Sequence, residues 1–529
     1  MVGQQEVLAE LSDDADSGQL LDALVGGRCA ALDLDADDEA LSAQLVTVCN
    51  ALAAAGANRI VVSLEGPDGP EQERRVRRLA LTIFPRHLLG ALPFLYSHDL
   101  VGGDNDDVRR TWSSLLNAFL HPAMERFLFN AEDRLREHRT RNPLLVFRND
   151  GASSRVAKSS ALKTYSSGPR GGVEGTRVLA DHYDLSDVVM VDVGGTTTDV
   201  ARVVGGSVEI DQYGQVEGVA TSLPLARIVS HGIGGSSIFS VVDGVVTVGP
   251  GSVGAAPGPA CFGLGGDEAT ITDVLLLSGV LDSSTYLGGS LSLDVDRSAA
   301  VVQAKVAEPL GVDLEEALRR MREAYAERLA LALREVVDSS STVVAFGGAG
   351  PMSVALAARA AGVKRVLVPR FAAVFSAFGI AFSDIGQTYT AALGEDEQQI
   401  RAGLLSQAER DMFAEGIALA DCEQRWSTIE DPDGSTRMQL LVRSTLPHPQ
   451  LDRSAATPQA LKTVDSRTVR LGDGDQKVPV VELLEQPIGA FGEAPAVVEG
   501  PFFTLAVPDG WRIEITPAGD LLLTDHDTL

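Results

Sequence analysis

Between Val188 and Val203 the chain reads VVMVDVGGTTTDVARV, an apolar run broken by Asp192, the pair Gly194 and Gly195, and three threonines. A buried strand has no use for an unpaired carboxylate, whose desolvation is expensive. A plain chain reversal needs no more than Asn-Gly or Asp-Gly. Gly194 and Gly195 let backbone N–H groups approach an anion with no Cβ in the way, and Thr196, Thr197 and Thr198 add hydroxyls. Asp192, at the end of its strand, is placed to hold the hydration shell of a Mg²⁺ beside a phosphate. Asp199, where the chain re-enters a strand, is either a further acid behind that site or an ordinary hairpin charge.

A second glycine loop, VVAFGGAGP, occupies residues 343–351. Here a buried strand ends in Gly347, Gly348, Ala349 and Gly350, and Pro351 is suited to open a helix. Such a turn offers free N–H groups and the positive end of a helix dipole to an anion. Either loop alone is also what a tight structural turn looks like. Neither matches GxxxxGK[ST] or GxGxxG, which argues against a P-loop and a dinucleotide-binding motif. Two such loops roughly 150 residues apart in one chain are the more specific signal.

The elements that must position these loops read as alternating helix and strand. Helices are expected over 37–56, with Gly56 as a stop, over 70–84 behind Pro70, and over 112–138; strands over 58–65 and 143–150. Short strands with glycine pairs follow from 187, and 232–266 is almost all turns. A helix over 313–337 carries Leu314, Leu318, Met321, Tyr325, Leu329 and Val336 on one face, with Asp313 and Glu316 as a capping-box variant. The divisions implied are an irregular acidic segment 1–36, a first α/β subdomain 37–186, a second subdomain 187–385 holding both glycine loops, and a β-rich region 386–529.

Bulk composition excludes several classes. With 529 residues the chain should divide into more than one domain. A formal charge of −29 argues against a nucleic-acid or anionic-membrane surface. Cys29, Cys49, Cys261 and Cys422 lie far apart without CxxC spacing, so neither a zinc site nor a disulfide framework is indicated, and a reducing, cytoplasmic location is expected. No long uncharged apolar run suggests a membrane span. The eight histidines are scattered, with no metal-ligand spacing.

At the two loops the sequence resembles the second phosphate motif and the adenosine motif of the actin, sugar-kinase and chaperone ATPases. More narrowly it resembles the hydantoinase A/oxoprolinase family, through SSGPRGGVEG at 166–175, DVGGTTTDV at 192–200, IGGSSI at 233–238, GPGSVGAAPGPACFG at 249–263, ITDVLL at 271–276, FGGAGP at 346–351 and VLVPRFAAVFSAFGI at 366–380. The motifs run in the family's order over roughly 37–385. The resemblance implies an α/β fold with an actin-like (ribonuclease H-like) ATPase core, and ATP with Mg²⁺ used to phosphorylate an amide or enolate oxygen. Asp192 would serve Mg²⁺, Gly194 to Thr197 the β and γ phosphates, and Gly347 to Gly350 the adenosine side. It also implies a second large subunit of the hydantoinase B type. The family's opening DVGGTFTD-like hairpin has no counterpart in the first 60 residues, so the N-terminal phosphate hairpin is expected to be missing or supplied by another chain. The expected function is a subunit that uses ATP to open a cyclic amide such as a hydantoin, lactam or oxoproline. The alternatives are a ketone carboxylase subunit of the acetone or acetophenone type and a non-catalytic scaffold.

Overall fold

The computed structural model describes residues 1–2, 11, 15–85, 92–100, 104, 106–155, 160–338, 340–394, 396–431, 434–454, 457–472 and 474–526. They form two compact units, each assembled from separated stretches: 1–167, 210–226 and 383–447 in one, and 168–209, 227–382 and 448–529 in the other. The divisions at 36, 186 and 385 mark changes of sequence character, whereas the units are set by which strands pair.

The unit that carries both glycine loops is built on a ten-stranded sheet. Its centre is Asp187–Val193, Thr342–Phe346 and Arg365–Val368, all mutually parallel. Val188, Val189, Met190, Val343, Val344 and Ala345 are completely buried, so these strands read as unbroken apolar runs rather than alternating ones. Thr198–Val204 returns antiparallel beside Asp187–Val193. On the opposite side Leu521–Asp525 and Trp511–Ile515 extend the sheet antiparallel. The region beyond 385 therefore supplies strands to the central sheet itself, which its weak sequence signals did not suggest.

Helices cover this sheet. Leu314–Arg334 is capped by Asp313, whose carboxylate accepts the Glu316 N–H at 2.9 Å. The reciprocal half of the box does not form, because the Glu316 carboxylate is taken by Arg319 and Arg320. Leu318, Met321, Tyr325 and Leu329 are buried, with Leu314 and Val336 packed at the margin. In Ser167–His182, glycines let neighbouring elements approach closely: a Cβ on Gly172 would lie 2.6 Å from Cζ of Phe346 in the sheet, and one on Gly171 2.7 Å from Ser376 O in the helix Phe375–Ile380. ITDVLL forms the helix Ile271–Leu277. Fully buried Asp273 there accepts from the Cys261 N–H at 2.8 Å, from Thr270 N and Oγ1, and from Ser298 Oγ.

The other unit holds the helices expected early in the chain, Asp38–Ala54, Gly69–Ile83 and Asp107–Glu137. Its five-stranded sheet runs Glu423–Glu430, Thr436–Ser444, Ile385–Ala392, Ser153–Arg155, Leu145–Phe147. The first 36 residues are not wholly irregular as expected. Ala15–Val25 is a helix whose Leu20, Leu21 and Leu24 pack with Trp112, Leu115 and Leu116. Acidic neighbours masked that apolar face in the sequence.

Candidate functional site

The two glycine loops and a third meet at the ends of the central strands. The first is the tip of the hairpin between Asp187–Val193 and Thr198–Val204, closed by Gly194 N–H donating to Thr197 O at 2.9 Å. The second is the Gly347–Gly350 turn, where the Ala349 N–H donates to Val193 O at 3.1 Å and the Gly347 N–H to Ala372 O at 2.9 Å. The third is IGGSS at 233–237. Its Gly235 and Ser236 N–H groups donate to Gly194 O and Gly195 O at 2.9 and 2.6 Å, and Thr198 Oγ1 donates to Ile233 O at 2.7 Å. Gly234 has no room for a side chain: a Cβ there would stand 2.6 Å from the Gly195 carbonyl carbon and 2.7 Å from Thr196 N. This explains a motif to which sequence reading could give no role.

Asp192 lies directly opposite Asp199 across the hairpin and beside Phe346 on the neighbouring strand. Among the described residues no donor reaches the Asp192 carboxylate. Burial first, and the Asp199 charge second, push its pKa up to about 6. Gly347 has φ +85, and a Cβ there would collide with Asp192 Oδ1 and with Val193 O. The glycine is demanded both by its left-handed backbone and by the acid beside it.

Gly194, Gly195, Thr196, Gly348 and Ala349 border one cavity of about 730 Å³. Asp192, Thr197, Asp199, Gly347 and Gly350 are not in its lining; they stand behind it or at the turn. Among the described residues, the Gly195, Thr196 and Gly348 N–H groups donate to no protein acceptor. Helix Gly350–Ala360 begins at the cavity with Pro351 in its first turn and no side-chain cap, so its own free N–H groups point the same way. An unpartnered carboxylate, free amides and an uncapped helix start are the set that a magnesium-bound phosphate group fits. The far wall was not legible in the sequence: Asp282, Tyr286, Glu482, Glu499 and Phe502 line it. Asp282 is held below the usual carboxylate range by the Ser284 hydroxyl and amide, and Glu499 takes a 2.8 Å hydrogen bond from Arg467.

No group of three or more His, Cys, Asp or Glu able to hold a metal occurs among the described residues, so any cation here would lean on Asp192 and its ligand's own oxygens. No helix among the described residues is long and apolar enough to cross a membrane.

The hydantoinase/oxoprolinase family model matches residues 110–389, and the chain belongs to that family. It is 33% identical over 344 residues to the acetophenone carboxylase gamma subunit of Aromatoleum aromaticum, which covers 63% of this chain and 47% of that one. It is 25% identical over 483 residues to the caprolactamase alpha subunit of Pseudomonas jessenii, covering 78% of this chain and 69% of that one. The chain thus spans about half the length of the acetophenone carboxylase subunit. In fold it is similar to a nucleotide-free structure of acetone carboxylase, with TM-score 0.76 and 23% identity over 90% of this chain and 78% of that one. The ATP-dependent caprolactamase from Pseudomonas jessenii gives TM-score 0.76 and 22% identity over 92% and 79%. The fold is accordingly a mixed α/β fold of the kind found in these two enzymes.

Proposed function

We propose that this chain is the ATP-using subunit of a hydrolase of the hydantoinase/oxoprolinase type, which activates and opens a cyclic amide. The observation that carries the reading is the meeting of three glycine loops, with free amides, at a strand that ends in an unpartnered carboxylate. In this reading the core is an actin-like ATPase core, and the first phosphate hairpin comes from another chain or segment. When bound, ATP would supply a phosphoryl group that turns a carbonyl oxygen into a leaving group.

The chain's own residues do the positioning. Gly195 and Thr196 direct N–H groups at the β and γ phosphate oxygens, and Gly348 with the start of helix Gly350–Ala360 faces the adenosine side. Asp192 holds the cation's water shell, and Asp199 raises its proton affinity from across the hairpin. Rigid amides fixed by neighbouring loops need no reorganisation as charge develops, which is where electrostatic catalysis gains most. Asp282, Glu482 and Glu499 suit the sugar and base end, where hydroxyl and amino donors need acceptors.

A carboxylase reading is supported to the same degree by the 33% identity to an acetophenone carboxylase subunit. Both readings share activation of a carbonyl or enolate oxygen. The relatives are named as subunits, and a second large subunit of the hydantoinase B type is the proposed partner. Calorimetry with ATP and Mg²⁺ on the chain tests the shared step; absence of binding moves the scaffold reading to first place. ADP release by the assembled complex, driven by a hydantoin or lactam in one arm and by a ketone plus bicarbonate in the other, separates the two reactions.

A further inference from the structure

The cavity bordered by the glycine loops changes character along its lining. Leu287, Leu484 and Phe502 also line it, and each keeps much of a large apolar side chain bare, at 43%, 61% and 62% exposed. The residues next to two of them are anchored in the core: Leu483 and Phe503 are buried. A single exposed apolar residue needs no explanation, but three along one cavity make a patch of the kind that marks a binding site.

Phe502 stands where its own turn gives no reason for it. Strands Ala496–Gly500 and Phe503–Val507 run antiparallel with Gly500 paired to Phe503, so Pro501 and Phe502 are the whole connection. Pro501 suits the first position of such a turn by its fixed φ. Phe502 takes φ +62 at the second, the left-handed position that glycine or asparagine ordinarily fills. A bulky residue there is strained, and strain of this kind persists at ligand clamps. Leu287 is a second bulky residue with a left-handed backbone, at φ +50. The two turns meet: a Cβ on Gly288 would lie 3.6 Å from Phe502 Cε1.

We propose that Phe502 is the stacking platform for the base of the bound nucleotide, with Leu287 and Leu484 completing an apolar clamp. The inference rests on the reading of this cavity as an ATP site and adds the residues that hold the base. A phosphate chain brings charge to the free amides of Gly195 and Thr196, whereas the π face of a base gains from an aromatic ring and apolar side chains. A nucleotide carries both parts in one molecule, as the lining does. The cavity, about 730 Å³, falls within the range of small-molecule sites, roughly 300–1,000 Å³. Every base has a π face, so Phe502 strengthens binding without choosing adenine over guanine.

Phe502→Asn separates a platform from a packing residue. Asparagine accepts the left-handed turn, so the variant should be at least as stable as the unaltered chain in urea titrations. By calorimetry it should bind ATP with Mg²⁺ roughly tenfold more weakly, the effect of losing one base–aromatic stack. Tripolyphosphate with Mg²⁺, which has no base, should bind both proteins equally, and Phe502→Trp should retain the ATP affinity. Adenosine, which has no phosphate, is the third probe. Unchanged ATP affinity in Phe502→Asn overturns the proposal, and so does a weakening shared by tripolyphosphate. If the unaltered chain binds tripolyphosphate as tightly as ATP, the phosphate reading stands and the clamp falls. If it holds adenosine through Phe502 but no polyphosphate, the clamp stands and the phosphate reading falls. Binding of none of the three overturns both.

Discussion

Replacing Asp192 by Asn removes one charge, keeps the shape, and separates a magnesium-holding acid from a turn-stabilising one. In the folded protein the Asp192 pKa stands at about 6, against an ordinary value of 3.8. Between those two values the fold binds more protons than the unfolded chain, so this residue's contribution to stability falls as pH rises through that window. Above it the ionised carboxylate is a standing penalty, on the order of 2 kcal/mol once its partial exposure is allowed for. Asp192→Asn should therefore match the unaltered protein at pH 4 and exceed it by about 2 kcal/mol at pH 7. Urea titrations at several pH values read this directly, since the Tm of so large a chain would move only a few degrees. Magnesium-dependent ATP binding should run the other way. A cation favours the carboxylate, so affinity in the unaltered protein should weaken below about pH 6 and be weak and flat in the variant. Turnover by the assembled complex should fall on the order of 100-fold, as when a group stabilising transition-state charge is lost. A variant that is destabilised at neutral pH yet fully active would refute the reasoning, because Asp192 would then merely serve its turn.

The remaining predictions concern the loops and the assembly. Gly348→Val should fold normally, since nothing lies within 4 Å of its Cβ position, yet weaken ATP binding by obstructing the cavity; unchanged affinity by calorimetry would make that loop only a turn. Gly347→Ala, with φ +85 and Asp192 in the way, should lose at least about 2 kcal/mol in denaturant titrations. Gly234→Ala should destabilise by a similar amount, about 2 kcal/mol, and reduce nucleotide affinity as well, because its Cβ would push into the hairpin tip. Asp273→Ala leaves buried donors on Cys261, Thr270 and Ser298 unsatisfied and should cost about 3 kcal/mol or more, with Asp273→Asn milder. Purified alone, the chain should not open a hydantoin or oxoproline with ATP; turnover by the isolated chain would dispose of the two-subunit reading.

Local chemistry was legible in the sequence wherever a signal sits within one element and its turn. VVMVDVGGTTTDV predicts a buried strand, an acid at its end and a glycine hairpin, because apolar runs and turn residues act over a few neighbours. The same holds for Pro351 opening a helix and for Asp313 capping one. Other features depended on residues far apart in the chain. Beyond its left-handed backbone, Gly347 is required by Asp192, and Gly234 by Gly195, contacts not visible until two loops are packed together. The wall formed by Asp282, Glu482, Glu499 and Phe502 carries no local pattern at all. The strands after Trp511 read as an appendage, yet they complete the central sheet, because a strand's edge is satisfied by whichever partner the fold brings alongside. Motif spacing could pick out the two glycine loops; only the pairing of distant strands decided what else lines the cavity beside them.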